Sequence, residues 1–246
     1  MTKTILHDKP IIMGLRIDWG KISAESYLRT IPALRKIKTL EFQNNITLFA
    51  GENGSGKSTL LEAIAITYGF NPEGGTKNYR FSTFDDTSEL HKAMRLIKGI
   101  TYNTHGYFFR AESFFNVATK TLDYSDSAHP APRFHEQSHG ESFLDFITKW
   151  YSKGVYILDE PEAALSAQKQ LVLMRYIVEM AKRGSQFIIV SHSPILLGLP
   201  DADIISFDNG KIQRCAYEET ESYLITKAFV NNRERILENL LANSDS

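Results

Sequence analysis

Residues 51–58, Gly51-Glu52-Asn53-Gly54-Ser55-Gly56-Lys57-Ser58, constrain this chain more than any other stretch. They fit G-x-x-x-x-G-K-[ST] and stand between an apolar run, Ile46-Thr47-Leu48-Phe49-Ala50, and a helical pattern that opens near Lys57. Strand, glycine loop and helix in immediate succession leave few folds open. The glycines let the backbone curl so that successive N–H groups point inward, and the following helix adds the positive end of its dipole. Such a loop binds phosphate. Lys57 is placed to reach the β- and γ-phosphates of a nucleotide, and Ser58 offers a hydroxyl to Mg²⁺, a hard cation that prefers oxygen. Thr59 stands beside them.

The rest of the chain agrees with a single α/β domain. With 246 residues, 42% hydrophobic and 23% charged, it is long enough to bury a substantial core. Its net charge of −1 shows no whole-chain basic excess that would advertise nucleic acid, although a local patch stays open. Cys215 is the one cysteine and cannot form an intramolecular disulfide. The N-terminus lacks the apolar run of a signal peptide, and no apolar stretch reaches the roughly 20 residues that span a bilayer. A cytoplasmic protein without direct membrane insertion is expected.

Periodicity sets out the elements. Residues 31–50 read as strand material, 71–85 as a loop, and 88–98 as a helix from the spacing of Leu90, Ala93, Met94 and Ile97. A strand is expected over 102–109, a long polar loop over 119–140 and a helix over 141–150. Two short β-branched runs, 155–158 and 187–190, fit buried parallel strands separated by a helix over 166–183, and the tail over 218–241 is helical by pattern. Strands alternating with helices imply a parallel sheet.

Further motifs follow in order. Val155-Tyr156-Ile157-Leu158-Asp159-Glu160 is an apolar strand that delivers two carboxylates at its C-terminal end, where open α/β sheets bind ligands. It resembles a Walker B motif, in which Asp159 holds Mg²⁺ and Glu160 orients and deprotonates the attacking water. Pro161-Glu162-Ala163-Ala164-Leu165-Ser166 is similar to the D-loop of ATP-binding-cassette (ABC) ATPases, with Ser166 in place of the usual aspartate. Residues 187–193 resemble that family's switch strand, which implies that His192 contacts the γ-phosphate. Gln137-Ser138-His139-Gly140-Glu141 is similar to the family signature and retains its serine and second glycine. The resemblance implies that Ser138 and Gly140 form a second phosphate site acting on a partner's nucleotide, while Ser138 and Glu141 also read as an ordinary helix capping box.

These motifs cover residues 40–210, and together they resemble an ABC-type ATPase of the RecF/SMC-like branch without coiled coil or membrane domain. The resemblance implies a P-loop NTPase fold: a central, mostly parallel sheet flanked by helices, a small antiparallel β subdomain, a helical lid over 76–150 bearing the signature, and a C-terminal helical tail over 217–246. It implies ATP and Mg²⁺ as cofactors and an ATP-dependent homodimer. The family's Q-loop glutamine has no counterpart, since none occurs between Gln43 and Gln137; Glu112 is the candidate substitute near the metal, against a surface ion pair of Arg110 with a nearby acid. Arg35, Lys36 and Lys38, ahead of the P-loop strand, read as a solvated basic face, with contact to phosphate or ribose as the alternative. Three functions are compatible: an ATPase acting on DNA or a partner protein in genome maintenance or phage defence, an ATP-binding subunit of a transporter, and a nucleotide-gated regulator with little turnover.

Overall fold

The computed structural model describes residues 9–77, 88–100, 105–111, 144 and 152–242. Two sheets organise them. A small antiparallel sheet has the order β2-β1-β4, built from β1 (Ile12–Ile17), β2 (Thr39–Glu41) and β4 (Met94–Lys98). The main sheet has the order β5-β6-β7-β3-β8-β9, from β3 (Ile46–Ala50), β5 (Gly106–Arg110), β6 (Val155–Asp159), β7 (Gln186–Val190), β8 (Asp203–Ser206) and β9 (Gln213–Arg214). Every pairing in it is parallel except β8 with β9.

Burial explains why the central strands read as continuous apolar runs. β3, β6 and β7 are buried along their whole length, so alternate residues must feed cores on both faces. Phe49, Ile157, Ile188 and Val190 join the core that contains helix α1 (Lys57–Tyr68) and the small sheet. Leu48, Leu158, Phe187 and Ile189 face helix α3 (Ala167–Lys182), which comes after the short α2 (Leu90–Ala93) in the chain. On α3 the residues Leu173, Tyr176, Ile177 and Met180 form an i, i+3, i+4, i+7 stripe, each contributing about 1.5–3 kcal/mol through burial. Ser166 caps that helix, its hydroxyl accepting from the Lys169 N–H. Beyond β7 come α4 (Pro194–Leu197), α5 (Glu221–Asn231) and α6 (Arg233–Ala242); neither α5 nor α6 buries a residue.

Three expectations change. Residues 88–98 are not one helix: only Leu90–Ala93 are helical, and Met94–Lys98 run as β4 against β1, with Arg16 opposite Arg95 and Ile17 opposite Met94. The apolar spacing mimics a helix, but β1 supplies a ladder of hydrogen bonds that outweighs local preference. Residues 31–50 hold strand only at Thr39–Glu41 and Ile46–Ala50, preceded by 3₁₀ turns over Tyr27–Thr30 and Leu34–Lys36. Finally, 76–150 is not uniformly a helical lid, because its described part includes β4 and β5, each built into a sheet. The expected loop over 119–140 lies outside the described residues, as does the expected helix over 141–150 apart from Leu144, which is helical.

One side chain joins the two sheets. Gln186 at the start of β7 is fully buried; its Oε1 accepts from the Ile12 N–H at 2.7 Å and its Nε2 donates to the Ile12 carbonyl at 2.8 Å. Leucine there would leave two buried backbone groups unpaired, at about 1–3 kcal/mol each. Gln186→Leu is therefore expected to lower the melting temperature by roughly 5–15 °C, measured by calorimetry.

Candidate functional site

The C-terminal ends of β3, β6 and β7 converge because their parallel register is unbroken: Phe49 and Asp159 both lie opposite Val190. The glycine loop leaves β3 there. Gly56 has φ 96°, and a Cβ on it would meet the Leu34 and Ile31 side chains at 2.7–2.9 Å, so this position needs glycine both for conformation and for space. The 3₁₀ turn before β2 thus serves to press on the loop.

Lys57 begins α1 and is only 4% exposed. Its ammonium donates to the carbonyls of Gly51 at 2.7 Å and Glu52 at 2.6 Å, with the Ser55 hydroxyl at 3.4 Å. Burial pushes its pKa below the ordinary lysine value, against the opposing pull of Glu160, Asp208, Asp159 and Glu162. One residue on, the Ser58 hydroxyl donates to Asp159 Oδ1 at 2.9 Å, joining loop and acidic strand. A hydroxyl and a carboxylate oxygen side by side suit Mg²⁺, which takes oxygen ligands and completes its shell with water and phosphate. Among the described residues, no group of three or more His, Cys, Asp and Glu could hold a metal without such help.

Glu160 adopts φ 48°, ψ 53°, a left-handed conformation that costs a non-glycine residue about 1–2 kcal/mol. Its N–H still donates to the Val190 carbonyl at 3.0 Å, so the ladder extends one residue past β6 and then turns sharply. The turn brings the carboxylate to the loop after β7, where Glu160 Oε1 lies 3.5 Å from His192 Nε2. The sequence-derived residues Lys57, Ser58, Asp159, Glu160 and His192 therefore sit at one edge of the sheet. Glu112, Ser138 and Gly140 lie outside the described residues.

Several polar residues of this edge were not anticipated. Glu162 Oε1 accepts from the Ser191 hydroxyl, the His192 N–H and the Ser193 N–H, fixing the backbone on which His192 stands. Gln170 of α3 reaches the Ser193 hydroxyl, and the Ser222 hydroxyl of α5 donates to the His192 carbonyl. Asp208 Oδ1 accepts from the Glu52 N–H of the glycine loop at 3.2 Å. Arg110, at the end of β5, pairs with Glu62 of α1 at 2.6 Å, and its Nε lies 4.0 Å from Asp159 Oδ2, so the ion-pair alternative for Arg110 is realised beside the acidic strand. The expected basic face is exposed at Arg35, Lys36 and Lys38, and Lys36 donates to the Gly210 carbonyl at 2.9 Å. Only the run of carboxylates and hydroxyls around 159–166 and 191–193 hinted at these contacts.

Two clefts border the loop. One of about 790 Å³ runs along Glu52–Ser55 and is lined by Pro32, Asp208, Asn209 and Gln213 among others; one of about 370 Å³ lies between the loop, His192 and the start of α5.

Comparison with known proteins places this geometry. An AAA domain family matches residues 27–128. The arabinose import ATP-binding protein AraG of Pseudomonas syringae pv. tomato is 24% identical over 198 residues, covering 70% of this chain and 39% of that protein. The xylose import ATP-binding protein XylG of Moorella thermoacetica is 25% identical, covering 66% and 36%, and the tungstate uptake system ATP-binding protein TupC of Campylobacter jejuni is 26% identical, covering 72% and 60%. The chain thus spans about two fifths of the length of the sugar-import relatives. Among solved structures, an ATP-binding cassette of an ABC transporter aligns with TM-score 0.43 and 19% identity, covering 82% of this chain and 90% of that one. The SMC head domain from Thermotoga maritima aligns with TM-score 0.39 and 16% identity, covering 72% and 92%.

Loop, acidic strand and sheet order are those of a P-loop nucleotide-binding fold. Within that class the chain is similar to ATP-binding cassette proteins, whose names describe ATP binding.

Glu162 generates a test of this edge. Glu162→Ala removes an acceptor shared by three donors and releases the loop of His192 without touching the glycine loop. Steady-state phosphate release should show kcat reduced at least about tenfold with KM for ATP within a few-fold, the pattern of a lost transition-state contact.

Proposed function

We propose that two copies of the chain close around two ATP molecules, each held between residues 51–58 of one copy and Ser138 to Gly140 of the other, and that hydrolysis reopens the pair. The observation that carries this reading is the Ser58–Asp159 contact at 2.9 Å, with buried Lys57 on one side and Glu160 with His192 on the other. In this assignment, the inward N–H groups of Gly51 to Ser58, with Thr59 adjoining, bind phosphate oxygens, and Lys57 turns from the Gly51 and Glu52 carbonyls to the β- and γ-phosphates. Ser58 and Asp159 would hold Mg²⁺, which would neutralise phosphate charge. Glu160 Oε1 accepts a proton from the attacking water, and His192 Nε2, within 3.5 Å, steadies the carboxylate and faces the γ-phosphate. The 790 Å³ cleft along Glu52–Ser55 has room for the nucleoside. Half of the charge stabilisation arrives from the partner copy, so an isolated chain turns over slowly.

The engine acts on DNA or on a partner protein, in genome maintenance or phage defence, in the cytoplasm. Only about 80 residues separate Ser58 from Ser138, too few for a long coiled-coil arm. A second reading, the ATP-binding subunit of a transporter, has one observation in its favour: the import ATP-binding proteins that align at 24–26% identity. Against it stands the absence of any glutamine over 44–136, where transporter coupling runs through one; β5 instead ends in Arg110, committed to Glu62. No helix among the described residues is long and apolar enough to cross a membrane. Co-fractionation with a permease would favour this second reading.

Lys57→Ala should lose ATP binding by equilibrium titration. Glu160→Gln should bind ATP, hydrolyse it at least about a hundredfold more slowly and run as a dimer with Mg-ATP by light scattering. Normal turnover of Glu160→Gln would remove the general-base assignment. A monomer with ATP bound would remove the sandwich.

A further inference from the structure

The outer face of the small sheet carries an unusual charge arrangement. Arg16 of β1 lies directly opposite Arg95 of β4 and, on its other side, opposite Thr39 of β2, so one row of the sheet reads Thr39, Arg16, Arg95. Both arginines are exposed. Like charges directly opposite on neighbouring strands sit about 5 Å apart at Cβ and destabilise the pairing. Neither arginine has an ion pair among the described residues. Lys21 and Lys38, also exposed, line the same groove of about 580 Å³ together with Trp19 and Asp18. Asp18 is the one acid lining it, and its Oδ1 is engaged by the Gly20 N–H at 3.1 Å as the cap of the turn Trp19–Lys21. Four cations thus meet one carboxylate on a chain whose net charge is −1.

We infer that this groove binds the phosphate backbone of duplex DNA. An unpaired cross-strand arginine pair costs the fold stability and is offset when phosphates lie over it, because guanidinium forks match phosphate oxygens and binding releases condensed counterions. The groove fits a duplex better than a single strand. Its aromatic residue, Trp19, is only partly exposed, donates through Nε1 to the Ile37 carbonyl at 2.7 Å and lies beneath the Arg29 guanidinium, so it presents no open platform for unstacked bases. A row of arginines and lysines without base-reading groups predicts binding that is insensitive to sequence and steeply dependent on salt. This inference names the surface for the DNA reading proposed above and rests on that reading.

The test is fluorescence anisotropy of the full chain with a 30-base-pair duplex across a salt series. The variants are Arg16→Gln/Arg95→Gln and, as a charge-matched control, Lys182→Gln/Arg183→Gln at the far end of α3. The groove variant should bind about 10–100-fold more weakly at 100 mM salt, flatten the log–log salt slope by about 2 and melt no lower than the wild-type chain. The control should bind like the wild type. Wild-type binding that survives in the groove variant overturns the groove assignment alone, whereas absence of wild-type binding, with and without Mg-ATP, overturns the DNA reading itself. Loss of binding to phosphatidylserine vesicles in the groove variant, with duplex binding intact, would assign the groove to a membrane surface instead.

Discussion

The parallel ladder linking β6, β7 and β3 is the constraint from which the site follows. Val190 faces Phe49 on one side and Asp159 on the other, so three strands end level at one edge. Asp159 stands at that level, and the glycine loop, Glu160 and the loop of His192 begin one or two residues later. Parallel strands cannot be joined by tight turns, so α1 and α3 cross the two faces and bury them. Helix α1 then receives its own covering layer, the small antiparallel sheet, held through the pair of hydrogen bonds between Gln186 and Ile12. A slip of the register by one residue would exchange the two cores and scatter the site.

At that edge burial and charge oppose one another. Buried Lys57 lies in the field of Glu160, Asp208, Asp159 and Glu162, and the desolvation that lowers its pKa is offset in part by those four carboxylates. The left-handed turn at Glu160 is a local cost that the rest of the fold sustains, and its return is a carboxylate brought beside His192 rather than continued along the strand. Behind these groups lies a polar scaffold. Glu162, Gln170 and Ser222 reach the segment Ser191 to Ser193 from three different elements, so the backbone under His192 is fixed to both α3 and α5. Any movement of that segment is therefore felt at the C-terminal helices, whose Ile225, Val230 and Leu241 are exposed.

The outer face of the small sheet differs in kind. The nucleotide edge ties Lys57, Ser58, Asp159 and Glu162 to one another or to nearby backbone, whereas the outer face of the small sheet leaves Arg16 and Arg95 adjacent and without an ion pair among the described residues.

Much of the nucleotide edge was legible in the residues alone. A glycine loop between strand and helix, and an apolar run ending in two acids, are local patterns whose chemistry depends on neighbours in the chain. The sequence by itself determined residues 51–58 as a glycine loop between strand and helix, the buried strands β6 and β7, a helix over most of 166–183, and the parallel α/β class. Tertiary structure decided what depends on distant partners. Residues 94–98 became β4 because β1 offered a ladder, Gln186 became the joint between the sheets because Ile12 lay opposite, and Glu162, Ser222 and Asp208 found donors or acceptors 29 to 156 residues away. A hydrogen bond carries no periodicity along the chain, so its two ends meet only once the chain has packed.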